Sequence, residues 1–475
     1  MEANSQNVMK QKGKKLKATC IVVLLLVIIG CLTSWWLWPQ SYDAIIPAEA
    51  KAVVRVDASQ MKNPREKLSQ FEQVLGIVPE GIDFSRPLYA FVTPNEYVGL
   101  TMALTDKNQF ESSIAQLQRQ GEATRLESSE GFEWAWVNKG LLLGWNRRMA
   151  VVLGPGVAQE RDVLRHTIVS MWHHSDRFVE TPAFKKLSAL QGDFQLYAQL
   201  DAVPTPYNVL FRMAVPADCP KEAVKIFASA SHGEAEGKQS SLRLSYTLES
   251  DNQEVLASID DFEKQKGFIQ VNSQATAPLF LLATRIEGKD LLDLFGSDAT
   301  LRQLLIGLGS VVDSDRMLGT SSGLLTLRIG SLDKNWNPTF RLEVENARRD
   351  LFDDSDYWLE SARKQSGVTL RCQSPTHFVL SNARQTVAFG QSEATSPRIY
   401  FSSPGMDESL PEEIVKKADE GGMLVYFELN MDLLRRQPCM KKGSAWCSVF
   451  DLMLPAAHRI IYRASQGRKG EMRFD

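Results

Sequence analysis

The chain has 475 residues, of which 44% are hydrophobic and 23% charged, which is the composition of an ordinary globular protein. At about 150 residues per domain, this length corresponds to roughly two to four domains. Thirty Gly and 20 Pro exclude a collagen-like or low-complexity architecture, and six Cys are too few for a disulfide scaffold. The formal net charge of -3 provides no general attraction to nucleic acid, so we expect no nucleic-acid partner.

The N-terminus combines a basic tail with an apolar segment. Residues 1–17 hold five lysines, including Lys14, Lys15 and Lys17, against one acid, and the 21 residues 18–38 carry no charged side chain. A helix rising ~1.5 Å per residue would carry this segment about 31 Å, close to the thickness of a bilayer core. The sequence therefore predicts a cytoplasmic tail followed by a transmembrane helix over 18–38 that acts as a signal-anchor.

The flanks of this segment predict its orientation. Lysines before the segment place the N-terminus in the cytoplasm, and Trp35, Trp36 and Trp38 suit the opposite interface, where amphipathic rings collect. Everything after Pro39 is then expected outside the cytoplasm. We predict a single-pass protein of a bacterial inner membrane with its bulk in the periplasm.

Two other interpretations of the N-terminus stay open. The run that ends at Cys31 resembles a bacterial lipobox, in which that cysteine would be lipidated and become the new N-terminus. A cleaved secretory signal peptide also begins with a basic and then an apolar stretch. The continued apolar run after Cys31 favours the uncleaved helix, because a lipoprotein normally passes quickly to a polar tether.

The charge of the remaining chain agrees with export into a bacterial envelope. From residue 39 onward there are 49 Lys plus Arg and 56 Asp plus Glu, a net charge of -7, which disfavours nucleic acid further. No Asn-x-Ser/Thr acceptor has a permitted middle residue, because Asn337 is followed by Pro338. The sequence thus lacks the mark of a glycosylated eukaryotic surface protein.

An internal duplication is indicated by matches that recur in the same order at offsets of 229–236 residues. The first aligns RVD at 55–57 with RIE at 285–287, each ending a strand-like apolar run. We predict a linker at 39–46, a first repeat over 47–273 and a second over 274–475.

Short apolar runs and turn residues predict the local structure. Residues 195–201 and 424–430 are expected to be strands that end in a polar turn or cap residue, and 140–154 and 377–390 are expected to be hairpins. Residues 106–120 show apolar side chains at helical spacing.

A second helix is predicted over 64–76 by the same apolar spacing. The fold class expected from these patterns is α+β: one N-terminal transmembrane helix followed by two tandem, similar α+β lobes with largely antiparallel sheets.

Motifs that resemble catalytic sites have better structural explanations. Ser321 lies in GTSSG, but a nucleophile elbow needs a strand before the serine and a helix after it, and here a strand-like run follows. His166 and the pair at 173–174 are about two helical turns apart, too far to share one metal ion. The acidic cluster at 350–356 lacks the glycine and distal glutamate of a calcium loop. We expect no catalytic residue, metal site or cofactor.

Two cysteines could pair in an oxidising compartment. Cys439 and Cys447 close a loop that is short enough for a disulfide, and this pairing is a hypothesis.

The start of the chain resembles a family known only in outline. A lysine-rich tail and one apolar segment precede IPAEAKAVVRVD at 46–57. This layout resembles the uncharacterised membrane- or lipid-anchored envelope proteins of Bacteroides-like bacteria, which are classed as domains of unknown function. The resemblance covers about the first 60 residues and implies no catalytic residues, because that family has no assigned activity.

The expected function is non-enzymatic. Duplicated lobes often hold a ligand between them, so we expect an anchored envelope protein whose periplasmic region binds another envelope component. The membrane, other envelope proteins and glycans are the expected partners. The alternative is a periplasmic enzyme acting on glycan or peptidoglycan, with a site built from residues far apart in the sequence.

Overall fold

A computed structural model of the protein describes residues 41–60, 79–137, 140–203, 208–216, 218–234, 240–272, 278–297, 311–346, 348, 350–383, 386–392, 397–406, 414–418, 422–440 and 457–475. The predicted tail and membrane segment, 1–17 and 18–38, lie outside these residues, as does the helix predicted over 64–76.

Ten strands of the N-terminal half form an antiparallel array. Across the sheet they run in the order β4-β5-β6-β7-β3-β2-β1-β8-β9-β10. Their bounds are β1 Ala52–Val56, β2 Leu88–Val92, β3 Val98–Ala103, β4 Ala123–Ser129, β5 Phe132–Val137, β6 Leu141–Trp145, β7 Met149–Gly154, β8 Phe194–Gln199, β9 Lys225–Glu234 and β10 Ser240–Glu249.

The C-terminal half has the same strand order, counted inward from the opposite edge. It runs β15-β16-β17-β18-β14-β13-β12-β20-β21-β22, and the short strands β11 and β19 pair beside β20. The bounds are β11 Phe268–Val271, β12 Phe280–Glu287, β13 Ser322–Leu332, β14 Pro338–Glu345, β15 Val368–Ser374, β16 His377–Asn382, β17 Thr386–Ser392, β18 Arg398–Ser402, β19 Val415–Ala418, β20 Met423–Asn430, β21 Arg459–Ser465 and β22 Lys469–Phe474.

The two halves are joined edge to edge. Strand β10 pairs antiparallel with β22, in a register from Leu242 opposite Phe474 to Thr247 opposite Lys469. All 22 described strands therefore belong to one sheet. The expected fold class is wrong on this point: the halves do not build two separate lobes with their own sheets, because the last strand of each completes the other's hydrogen-bond ladder.

The expected fold also differs in its transmembrane helix, which is not among the helices that the structure describes. Within the ranges that the structure describes, no helix combines the length and the apolar character needed to cross a bilayer. The described helices are α1 Lys107–Arg119, α2 Arg161–His173, α3 Pro182–Ala189, α4 Asn208–Arg212, α5 Gln253–Lys266, α6 Gly288–Ser297, α7 Ser314–Gly319, α8 Ser355–Lys364 and α9 Met431–Arg435.

Local sequence signals predict the described elements well. Helix α1 begins after Asp106, whose carboxylate accepts from the backbone N–H of Asn108 at 2.8 Å, and it buries Phe110, Ile114 and Leu117. The hairpin β6–β7 also forms as predicted, and Asn146 Oδ1 accepts the Arg148 N–H in its turn.

The two predicted strands at 195–201 and 424–430 are confirmed as β8 and β20. After β20, the Asn430 side chain caps α9 by accepting the Leu433 N–H at 2.9 Å. The hairpin expected at 377–390 is confirmed as β16–β17. The repeat boundaries at 273 and 274 stay a prediction.

Helix α5 packs over the joint between the halves. Its buried side chains Val255 and Ile259 share a core with Tyr246 of β10 and with Tyr462 of β21. The hydroxyl groups of these two tyrosines lie 2.6 Å apart, and their rings are stacked. One hydrophobic core therefore draws on both halves of the sheet, as it must if the joint is to exclude water.

A buried carboxylate fastens the same helix to the C-terminal hairpin. Glu263 is 4% exposed and accepts the backbone N–H groups of Gly467 and Arg468, each at 2.8 Å. Burial raises the pKa of this carboxyl, while the two N–H donors oppose the rise. Glu263 thus accepts the hydrogen bonds of two backbone N–H groups in the turn between β21 and β22, although its helix lies about 200 residues earlier in the chain.

We expect Glu263→Ala to lower the free energy of unfolding by about 2 kcal/mol, because the backbone N–H groups of Gly467 and Arg468 would lose a buried, charged acceptor. Urea denaturation of the full chain measures this change. The matched control is Asp261→Ala on the exposed side of the same helix, which should cost about 0.5 kcal/mol or less. Equal losses for the two variants would contradict the role assigned to Glu263.

Candidate functional site

An open groove lies on the sheet where the two halves meet. It has a volume of about 730 Å³ and is lined by residues of β9, β10, β20, β21 and β22. Phe227 and Leu190 line it from the N-terminal half, and Val271 and Met423 line it next to the β11–β19 pair. The residues between them include three serines, a threonine, two arginines, a lysine and a glutamate.

Strand register brings basic side chains to this floor. Between β10 and β22, Arg243 is opposite Arg473, and Thr247 is opposite Lys469. Between β22 and β21, Glu471 is opposite Arg463. Since directly opposite residues, and residues two apart on a strand, share a face of the sheet, all of these side chains lie on one face.

A single carboxylate, that of Glu471, contacts three arginines on that face. Glu471 Oε1 lies 2.6 Å from Arg473 Nε and 3.9 Å from Arg463 Nη1, and the other carboxylate oxygen contacts Arg243. Lys469 is exposed on the same strand and adds a fourth cation. The floor therefore carries a local positive excess on a protein whose net charge is negative.

Hydroxyl groups accompany the cations. Ser229 of β9, Ser245 and Thr247 of β10 and Ser465 of β21 line the groove. A serine or threonine hydroxyl can donate one hydrogen bond and accept two. The groove thus presents cationic donors beside groups that can bind other hydroxyls.

A second, more enclosed cavity of about 230 Å³ lies where α5 ends and α6 begins. Leu200, Met213, Val215, Phe262 and Ile286 give it apolar walls. Its polar lining includes Arg212, Lys221, Lys266, Arg285, Glu287 and Asp290.

Lys266, the last residue of α5, is the most perturbed cation of this cavity. Its ammonium donates to the carbonyl of Met213 and lies 5.2 Å from the centre of the Phe262 ring. Burial lowers the pKa of Lys266 to about 7, and the Asp290 carboxylate opposes this shift. Among the described residues, Asp290 acts on this ammonium through its charge and forms no hydrogen bond with it.

Arg285 lies beside this lysine. Its Nε is buried and has no hydrogen-bond partner among the described residues. Its Nη1 would be 2.3 Å from a Cβ atom at Gly267, which follows Lys266 and has a φ of +70°. Glycine is required there both for the backbone conformation and for the close approach of the guanidinium.

The structure does not describe most of the predicted site residues. Lys14, Lys15, Lys17, Cys31 and the three tryptophans Trp35, Trp36 and Trp38 lie outside the described residues, as does Cys447. Cys439 is buried, 7% exposed, and its pairing with Cys447 stays a hypothesis.

The motifs that resemble catalytic sites lie in structural settings. Ser321 is buried between α7 and β13, where its hydroxyl donates to the carbonyl of Met317 at 2.9 Å. His166 and His173 are exposed on α2. Asp350 and Asp354 pair with Arg316, at 3.3 and 2.7 Å. No group of three possible metal ligands occurs in the residues that were described.

Sequence reasoning missed both the groove and the cavity. The signal for the groove was present in β22, where Lys469, Glu471 and Arg473 alternate with Gly470 and apolar residues, which is the pattern of a strand with one charged face. Nothing local indicated that β10 would be its neighbour.

These observations define an antiparallel β-sheet protein with a basic groove at the joint of its two halves. Residues 69–305 match the model of a family described as "Domain of unknown function (DUF4836)". The match supports the resemblance to proteins of an uncharacterised domain, while it indicates neither a source organism nor a membrane anchor. It also crosses the predicted boundary between the repeats.

Three solved structures are similar to parts of the chain. Crystal form IV of TP0453 is 12% identical, with a TM-score of 0.31, over 45% of this chain and 83% of that one. Crystal form I is 10% identical, with a TM-score of 0.30, over 50% of this chain and 89% of that one. Crystal form III is 11% identical, with a TM-score of 0.27, over 50% of this chain and 90% of that one. Likeness at this level supports no argument about function. The search of curated proteins gives no match.

The lowered pKa of Lys266 predicts how stability depends on pH. Between about pH 7 and the ordinary lysine value of 10.5, the folded protein has released a proton that the unfolded chain still holds, so raising the pH favours the folded state. The free energy of unfolding of the wild type, relative to Lys266→Met, should therefore rise from pH 7 to pH 10.

Lys264→Met is the matched control, because Lys264 is exposed near the end of the same helix. In denaturant titrations at several pH values, the difference in the free energy of unfolding between wild type and Lys264→Met should not change with pH. If the difference in the free energy of unfolding between wild type and Lys266→Met does not change with pH, the lowered pKa of Lys266 is contradicted.

Proposed function

We propose that this protein is a non-enzymatic binding protein of a bacterial envelope, and that the basic groove at the joint binds an anionic glycan. The observation that carries the proposal is the excess of cations in the groove lining: among its described residues Glu471 is the single acid beside Arg463, Arg473 and Lys469, and it also contacts the neighbouring Arg243. Such a concentration of charge attracts an oppositely charged ligand over a distance of about 8–10 Å at physiological salt.

Arginine suits the acidic groups of such a polymer. A planar guanidinium can hold a carboxylate or phosphate through two parallel hydrogen bonds. Arg463 and Arg473 are 30% and 37% exposed, so each can contact a ligand while it keeps its contact with Glu471. The two side chains project from neighbouring strands and could engage acidic groups on successive sugars.

The neutral part of the groove favours a sugar polymer over a simple anion. Ser229, Ser245, Thr247 and Ser465 offer hydroxyls at intervals along the floor, where sugar hydroxyls could pair with them. The groove is open and lies between the two halves, which gives an extended chain room to enter and leave.

Polygalacturonate is a suitable probe, and neutral dextran is the comparison. We expect the full chain to bind polygalacturonate with an affinity that falls steeply as salt is raised, and to bind dextran much more weakly. The double variant Arg463→Gln/Arg473→Gln should lose about tenfold or more in affinity, since two charge-assisted contacts are removed. Isothermal titration calorimetry measures both effects.

Arg371→Gln is the control for charge alone, because Arg371 is exposed on the far edge strand β15. It should bind as the wild type does. The proposal fails if the double variant, with an unchanged circular dichroism spectrum, binds polygalacturonate as tightly as wild type, or if wild type binds dextran equally well.

We also propose that the described region lies in the periplasm and is held at the envelope through residues 1–38. The basic tail and the apolar run support this location. Cys372 offers a test, because it is an exposed thiol on β15. A maleimide that cannot cross the membrane should label Cys372 in intact spheroplasts as fully as in permeabilised ones, as mapped by mass spectrometry.

A cytoplasmic protein with an exposed thiol serves as the control in that experiment, and it should react only after permeabilisation. Labelling of Cys372 that depends on permeabilisation would overturn the proposed location. In the variant Cys372→Ser, any label that remains at the half-buried Cys219 can be measured separately. Burial raises the pKa of the Cys219 thiol, so we expect Cys219 to react with the maleimide more slowly.

The alternative function, an enzyme acting on glycan or peptidoglycan, is favoured by one observation. Titratable side chains from several segments between residues 212 and 290, Lys266 and Asp290 among them, meet in the enclosed cavity. Release of reducing ends from polygalacturonate or peptidoglycan, abolished in Lys266→Met and Asp290→Asn but not in Arg463→Gln/Arg473→Gln, would replace the binding proposal with this one.

A further inference from the structure

The enclosed cavity has the size of a site for a small organic molecule. A dry cavity of about 150 Å³ in a protein core accommodates benzene, and this cavity measures about 230 Å³. Its apolar walls come from three parts of the chain: Leu200, the segment with Met213 and Val215, and Phe262 of α5. An apolar body of six to ten carbon atoms, on the order of that volume, would fit between them.

The same cavity holds cations that the described residues do not neutralise. The Lys266 ammonium donates a hydrogen bond to the neutral Met213 carbonyl, and among the described residues the Asp290 carboxylate acts on it only through its charge, without a hydrogen bond. The Nε of Arg285 is buried without a partner in the same part of the structure. A charge held away from water is costly unless an opposite charge pairs with it, so this arrangement leaves a place for an anion.

Acidic groups offset these cations only in part. Asp290 of α6 acts on Lys266 through its charge but without a hydrogen bond, and burial raises the pKa of its own carboxyl. Glu287, at the end of β12, is exposed. Lys221 adds a further cation to the lining. Even if Arg212 is left out, Lys221, Lys266 and Arg285 outnumber the acids Glu287 and Asp290 among the described lining residues.

We propose that this cavity binds a small organic carboxylate, whose apolar body lies against Leu200, Met213 and Phe262 and whose carboxylate pairs with Lys266 and Arg285. The site is separate from the proposed glycan groove and does not depend on it. None of the residues that line the cavity lines the groove.

Binding should follow the protonation of Lys266. The carboxylate needs the ammonium form, which the free protein holds below about pH 7 and loses above it. Reciprocally, a bound carboxylate raises the lysine pKa. Affinity for the ligand is thus expected to be high at pH 6 and to fall at pH 9.

Sodium benzoate is the probe, and benzyl alcohol is its neutral counterpart. Calorimetric titration of the full chain should show one saturable benzoate site that is at least tenfold tighter at pH 6 than at pH 9, and benzyl alcohol binding that is weaker and independent of pH. Lys266→Met should abolish the preference for benzoate over the alcohol. Lys264→Met, exposed on the same helix, should behave as wild type.

A second variant keeps the proposal testable if Lys266→Met does not fold. Arg285→Lys keeps the charge but removes the planar fork, and it should weaken benzoate binding while leaving the cavity open to benzyl alcohol. Absence of saturable benzoate binding at pH 6, or equal affinity for benzoate and benzyl alcohol, would overturn the proposal. Displacement of polygalacturonate by benzoate would contradict the independence of the two sites.

Discussion

The structure depends on the backbone ladder between β10 and β22. A strand at the edge of a sheet exposes a row of unpaired N–H and C=O groups, and each half of this chain ends its strand order on such an edge. Pairing the two edges removes both at once and makes one sheet from two arrays of ten strands with the same order. Helix α5, fastened by Glu263, then covers the joint with a hydrophobic core that both halves supply.

Both candidate sites follow from this joint. The groove exists because β22 places its charged face beside the polar face of β10, so that residues more than 200 positions apart share one floor. The cavity exists because α5, after crossing the joint, ends next to β12 and the start of α6. In each case neither half alone would bring the necessary side chains together.

Local patterns in the sequence predict local structure, and they stop there. The apolar spacing of Phe110, Ile114 and Leu117 is sufficient for α1, and Asn146 is sufficient for its hairpin, because neighbouring residues determine both. The pairing of Arg243 with Glu471 depends instead on which edge strand meets which, and periodicity carries no information about that choice. Two separate lobes were expected for this reason, and the groove, Lys266 and Arg285 went unrecognised.

The β10–β22 ladder also orders the events by which the chain acquires its structure. Leu242 of β10 pairs with Phe474 of β22, which lies 232 residues later in the chain. The edge of β10 that faces β22 therefore has no neighbouring strand until the end of the chain is present. Closing so long a loop is entropically costly and slow compared with the hairpin contacts within each half. During synthesis, the edge strand β10 of the N-terminal array therefore stays open for an interval in which a chaperone or a neighbouring chain can pair with it, and that interval ends only when residues 469–474 have been made.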